Sequence, residues 1–272
     1  MRVVVLLLVV ALGVGGCGAF EDAKKEAKKG VEQIKKKTRE FKGKVTKLRK
    51  KVVARVNRVL DDIRGVVPKA TPQTVVPSRR VATSLEDYMG NVLGNIDRYW
   101  RRTFAAADLP RPRVRHTFID PGTSVPTACE SSADDQAAFY CPGDDTIYLG
   151  ESLSRDIIQG IGDFGVAYVI AHEYAHNVQQ ELGWFESGLA VTTVAPFELQ
   201  ADCMAGAWGY AVYQEGKLDE GDVEEAVNTA FAVGDFDLTN PQHHGTPNER
   251  AEAWASGYGS GDPSSCQSFT AG

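Results

Sequence analysis

The chain has 272 residues, of which 43% are hydrophobic and 24% charged, and a formal net charge of -6. This length supports a real hydrophobic core in one large or two small domains and excludes collagen-like and short disulfide-scaffold classes. The long apolar run lies at the extreme N-terminus, which excludes a polytopic membrane protein.

Charge is segregated along the chain. Residues 21–66 carry 17 Lys and Arg against 7 Asp and Glu, whereas residues 81–272 carry 9 against 29. A basic arm therefore precedes an acidic globular domain.

The opening MRVVVLLLVVALGVGGCGAF has one positive charge at Arg2 and apolar residues from Val3 to Val14, too few to span a bilayer comfortably. It reads as an export signal over residues 1–16. Its end, Val14-Gly15-Gly16-Cys17, resembles the lipobox of bacterial lipoproteins, which implies a lipidated Cys17 as the mature N-terminus. A plain signal peptide or an uncleaved anchor is the alternative.

In the arm that follows, residues 17–66, Val31, Ile34, Phe41, Val45, Leu48, Val52, Val56, Val59 and Ile63 recur mostly at three- and four-residue steps. This is a helical stripe suited to a coiled coil or a membrane surface, unless the arm is a solvated charged linker. Lipid and polybasic segment together predict attachment to the extracytoplasmic face of a membrane. Export argues against a nucleic-acid partner. Residues 67–84, with three prolines among Thr, Ser and Val, read as an extended linker, and the globular domain is expected over residues 85–272.

Within that domain the spacing predicts a helix over 85–107 with Ser84 as its cap. An alternating strand is expected over 113–119, and a hairpin of 137–140 with 146–149 around Pro-Gly-Asp-Asp. Helices are expected over 153–159, 164–182, 197–214, 220–233 and 248–256. A few strands followed by a run of helices argue for an α+β fold.

Besides Cys17 the chain has Cys129, Cys141, Cys203 and Cys266, and four cysteines allow three pairings. Cys129 and Cys141 flank one short loop, which leaves Cys203 with Cys266; both bridges suit an oxidising compartment. A buried free thiol at Cys203 is the alternative.

The segment Val169 to Gln179, VIAHEYAHNVQ, places His172 and His176 four residues apart. On a helix both imidazoles project from one face and can reach one metal ion, while Glu173 can reach a water on that ion rather than the ion itself. A catalytic zinc usually takes a third protein ligand. Glu198 is the candidate, and Asp202, four residues on, is placed to accept the outer N–H of a zinc-bound histidine. Were the histidines absent, Glu198 and Asp202 would read as the polar face of a surface helix.

HEYAHNVQ, ELQADCMAGAWG, HGTPNERAEAW, GDPSSCQSF and FYCPGDDTIYLG together resemble the neutral zinc metallopeptidase family of bacteria, over roughly Leu85 to Phe269. The resemblance implies a zincin-like domain, a small antiparallel sheet plus helices. It implies one Zn2+ per chain held by His172, His176 and Glu198, with Glu173 as general base and Asp202 behind the ligands. Two departures stand out: Asn177 occupies a position where many members have a further histidine, and the connection from Glu181 to Pro196 is short, so one wall of the cleft is expected to be reduced.

An oxyanion donor besides zinc is required for peptide hydrolysis. Of His116, His243 and His244, His244 is favoured because it starts the HGT segment, although a helix-capping loop residue would read the same. A peptide substrate could add in extended form to the free edge of the strand at Thr146 to Leu149, where Tyr148 could equally be sheet surface. Trp184 and Phe185 are read as core packing, with a pocket wall as the alternative. The expected function is an exported, membrane-anchored zinc peptidase. The rivals are a catalytically inactive zinc-binding envelope protein and a structural tether built on the basic arm; oligomeric state is not legible.

Overall fold

Ser84 begins the ordered helix that the sequence predicts: its hydroxyl accepts the Asp87 N–H at 3.0 Å, satisfying one of the free donors at a helix start. The computed structural model describes residues 84–183 and 193–270, all within a unit spanning Val56–Gly272. The export signal, Cys17, the basic arm, the linker up to residue 83, and Trp184 and Phe185 lie outside the described residues.

Helix α1, Leu85–Ala106, buries Met89, Val92, Leu93, Ile96, Trp100 and Phe104 at three- and four-residue intervals. Five strands follow: β1 Arg115–Ile119, β2 Ser124–Val125, β3 Ala133–Asp134, β4 Ala138–Cys141 and β5 Thr146–Gly150. β2 and β3 form a small antiparallel ribbon. The larger sheet has the order β1-β5-β4.

Two expectations change here. The sheet is mixed: β4 and β5 pair antiparallel as a hairpin, but β1 runs parallel to β5 with Arg115 opposite Thr146. The excursion through β2, β3 and β4 brings the chain back in its original direction. β5 is also the central strand, so it has no free edge to offer a peptide; β1 and β4 are the edges. All five β5 residues are buried, because Ile147 and Leu149 face the main core while Tyr148 packs with Ile119, Ala133 and Cys141 in a second one. Tyr148 is thus core, stacked on Phe139 at 5.2 Å and donating its hydroxyl to Asp144 at 2.7 Å.

The remaining helices are α2 Glu151–Gly160, α3 Asp163–Glu181, α4 Ala195–Gln214, α5 Asp222–Ala232 and α6 Pro247–Ser260, closed by a 3-10 segment, Pro263–Phe269. Among the described residues, no helix is long and apolar enough to cross a membrane. α3 is nearly encased, with polar residues buried among apolar ones, so each of those polar groups requires a partner.

α4 and α6 approach unusually closely at two glycines. A Cβ on Gly206 would lie 2.0 Å from the Trp254 carbonyl oxygen, and one on Gly257 would lie 1.8 Å from that of Cys203. Only the missing side chains permit this contact. The disulfides are Cys129–Cys141 and Cys203–Cys266: the first fastens the loop before β3 to the end of β4, the second fastens α4 to the terminal 3-10 segment. Such bridges belong with an oxidising, extracytoplasmic setting.

Candidate metal centre

His172 and His176 lie one helical turn apart on α3 and turn their Nε2 atoms toward each other, 3.1 Å apart. Glu198, in the first turn of α4, completes the group: its Oε2 lies 3.2 Å from His172 Nε2 and its Oε1 3.4 Å from His176 Nε2. These atoms can hold one metal ion. A tetrahedral ion with bonds of about 2.0–2.2 Å spaces its ligands by about 3.3–3.6 Å, so the trio, at 3.1, 3.2 and 3.4 Å, suits zinc in donor type and is slightly tighter than that spacing.

The outer nitrogens explain why both rings direct Nε2 at the site. His172 Nδ1 lies 2.8 Å from Asp202 Oδ1, and a carboxylate only accepts, so Nδ1 carries the proton. His176 Nδ1 lies 2.8 Å from Gln179 Oε1. The Gln179 amide is oriented by its own donations, to the Phe197 carbonyl at 2.8 Å and to Gln200 Oε1 at 3.0 Å, and Gln200 in turn donates to Thr270 Oγ1 at 2.9 Å. Hence Gln179 presents an acceptor to His176 and fixes the same tautomer.

The electrostatics favour a cation at the trio. Burial drives the His172 imidazole toward neutrality, but Asp202 outweighs it and pushes its pKa up to about 10. Burial would raise the Glu198 carboxyl, yet His176 and His172 hold it well below the usual carboxylate range. Asp202 is kept low against its own burial, first by Arg250 and then by His172.

Glu173 stands beside the trio without joining it. Its Oε2 accepts the backbone N–H of Tyr140 on β4 at 2.9 Å, and burial raises its pKa. Asn177, the first departure noted in the sequence, is fully buried and donates to the Arg113 carbonyl and to Asp145 Oδ1, both at 2.9 Å. It ties α3 to the β4–β5 turn and takes no part in the trio.

The remaining histidines have other surroundings. His116 is exposed on β1 and tilts against Phe118. His243 is buried with Nδ1 2.5 Å from Asp235, and His244, half-exposed, donates its backbone N–H to Asp235 at 2.9 Å. This loop runs beside the start of α4, where the Val194 N–H donates to the Pro241 carbonyl.

Sequence reasoning missed Gln179, Gln200, Tyr168, Arg250 and the Tyr140 N–H. Arg250 was visible inside HGTPNERAEAW and Gln179 inside HEYAHNVQ, but nothing local says that these polar side chains turn inward. Helical spacing was the available signal, since Tyr168 lies four residues before His172 and Gln179 three after His176.

A profile of the family described as "Putative neutral zinc metallopeptidase" matches residues 56–269. "Uncharacterized protein YpfJ" of Escherichia coli strain K12 is 37% identical over 165 residues, 53% of this chain and 58% of that protein. "Uncharacterized protein Mb2605" of Mycobacterium bovis is 32% identical over 206 residues, 65% of this chain and 68% of the relative. The chain thus spans little more than half the length of the Escherichia coli relative. No solved structure matches the chain.

Proposed function

The chain belongs to the family described as "Putative neutral zinc metallopeptidase", and on that premise we propose that it is an exported zinc-dependent peptidase, anchored to the membrane through Cys17 and its basic arm. The single observation that carries the reading is the trio of His172, His176 and Glu198 with Glu173 beside it. His172, His176 and Glu198 would hold a zinc ion there, which would supply Lewis acidity toward a peptide carbonyl and a water.

The protein's own groups do the rest. Asp202 and Gln179 hold the imidazoles in the tautomer that leaves Nε2 free. Glu173 takes a proton at its carboxylate from the attacking water and delivers it to the leaving amine; burial raises its proton affinity, which suits a group that must accept and then release. The Tyr140 N–H holds one oxygen of that carboxylate in place. The substrate lies extended against β4, the sheet edge beside Glu173, and His244 is the candidate for donation to the oxyanion.

Metal analysis together with cleavage of a peptide library tests this reading. Wild type should carry one zinc per chain and hydrolyse peptides, His176→Ala should lose the metal, and Glu173→Gln should keep metal and fold but lose hydrolysis. Stoichiometric zinc with no cleavage by wild type would favour an inactive zinc-binding protein. Fractionation tests the anchor: Cys17→Ser should release mature protein or leave a precursor, and normal retention would overturn the lipid assignment.

A further inference from the structure

We infer that Arg250 is a positioning residue for the metal, acting through Asp202 to hold the His172 ring in its ligating orientation. The inference rests on the zinc reading above and adds to it a residue from a helix that supplies no ligand.

Arg250 follows the capping box of Thr246 and Glu249 at the start of α6 and is 4% exposed. A buried guanidinium is costly unless its charge and donors are met. Nε and one terminal nitrogen, NH2, take both oxygens of Asp202, at 2.7 and 3.0 Å, in the two-pronged geometry that fixes the plane of a carboxylate. Asp202 Oδ1 also accepts from the Tyr168 hydroxyl and from His172 Nδ1 at 2.8 Å. The direction in which Asp202 presents its acceptor to His172 is therefore set from α6.

The same NH2 lies 3.3 Å from both ring nitrogens of His172. The guanidinium thus packs against the imidazole whose outer nitrogen Asp202 holds. NH2 also lies 3.6 Å from Glu198 Oε2, and the other terminal nitrogen, NH1, reaches the Val233 carbonyl at the end of α5. Helix spacing makes this possible. Asp202 and Gly206 share one face of α4, and Arg250, Trp254 and Gly257 share one face of α6, so the glycine contact brings the charged pair together.

Charge and geometry predict opposite signs, which makes the inference testable. A cation this close to a ligand oxygen repels a divalent ion, so by charge alone its removal should tighten zinc binding. A positioning residue predicts weakening. Zinc affinity of the purified full chain is measured by competition with a chromophoric chelator, with circular dichroism reporting the fold. Arg250→Met and Arg250→Lys are expected to bind zinc about 10- to 100-fold more weakly, Lys failing to rescue because it keeps the charge and loses the fork. In the Asp202→Asn background, Arg250→Lys should cost little more, since it acts through Asp202. Unchanged or tighter binding by folded Arg250→Lys, or a full additive loss in the double variant, would overturn the inference. If Arg250→Met does not fold, the Lys variant and the double variant still decide it. Absence of zinc from wild type would instead overturn the functional reading itself.

Discussion

Tyr140 and Glu173 are joined by a 2.9 Å hydrogen bond from the backbone of edge strand β4 to the carboxylate on α3. The bond orients the candidate base and sets the distance between the helix and the sheet edge. Glu173→Asp should break it, because the shorter side chain cannot reach both Tyr140 and a water at the metal. Zinc content should be unchanged while kcat falls by about 10²- to 10⁴-fold, the usual worth of general base catalysis. Steady-state kinetics with metal analysis checks this, and an active Glu173→Asp enzyme would contradict it.

Gln179 should matter to the metal although it never touches it. Gln179→Leu removes the acceptor from His176 Nδ1 and leaves the fully buried Gln200 short of a partner. The expected result is a 10- to 100-fold weaker zinc affinity, to order of magnitude, with a loss of about 1–3 kcal/mol in stability. Chelator competition and urea denaturation separate the two effects.

The close crossing of α4 and α6 predicts a contrast between two glycines of α6. Gly257→Ala would drive its Cβ into the Cys203 carbonyl, whereas at Gly259 a Cβ meets nothing within 4 Å. The first should cost at least about 1–3 kcal/mol and weaken zinc binding by parting Arg250 from Asp202. The second should be neutral or stabilise by about 0.5–1 kcal/mol. Thermal denaturation of both variants is the measurement.

The two disulfides should differ in weight. They span 63 and 12 positions of sequence, and loop-closure entropy ranks the longer one higher, at about 4 against about 3 kcal/mol as upper values. Paired Cys→Ser variants compared by urea denaturation should show the larger loss for Cys203 and Cys266.

Asp222 gives a pH signature away from the trio. It gathers with Asp163 and Glu225 near the N-terminus of α3, and burial raises its pKa to about 7; the Asp219 N–H opposes this, while Asp163 and Glu225 add to it. An acid whose pKa is higher folded than unfolded contributes stability fully present below about pH 4 and lost as pH rises through about 7. Asp222→Asn should therefore gain about 1–3 kcal/mol over wild type above pH 7 and flatten the profile between pH 5 and 8. Parallel profiles for the two proteins would argue against a raised carboxyl.

Local pattern made much of this protein legible before any fold was known. The three- and four-residue spacing of apolar residues marked the helices, Ser84 marked where the first begins, and His172 and His176 at four residues apart define one face of a helix whatever surrounds it. Glu198 and Asp202 were legible as a pair for the same reason, because helical periodicity acts within a few turns. What sequence could not decide depends on contacts between distant segments. The parallel pairing of β1 with β5 joins strands 31 positions apart, Arg115 to Thr146, and no local period encodes the direction in which a chain returns. That choice made β4 rather than β5 the free edge beside Glu173. Arg250 and Gln200 are ordinary polar residues in sequence, which usually face water. They turn inward only because the packing of α4 against α6 and the C-terminal segment places a buried carboxylate and a buried amide where a partner is required.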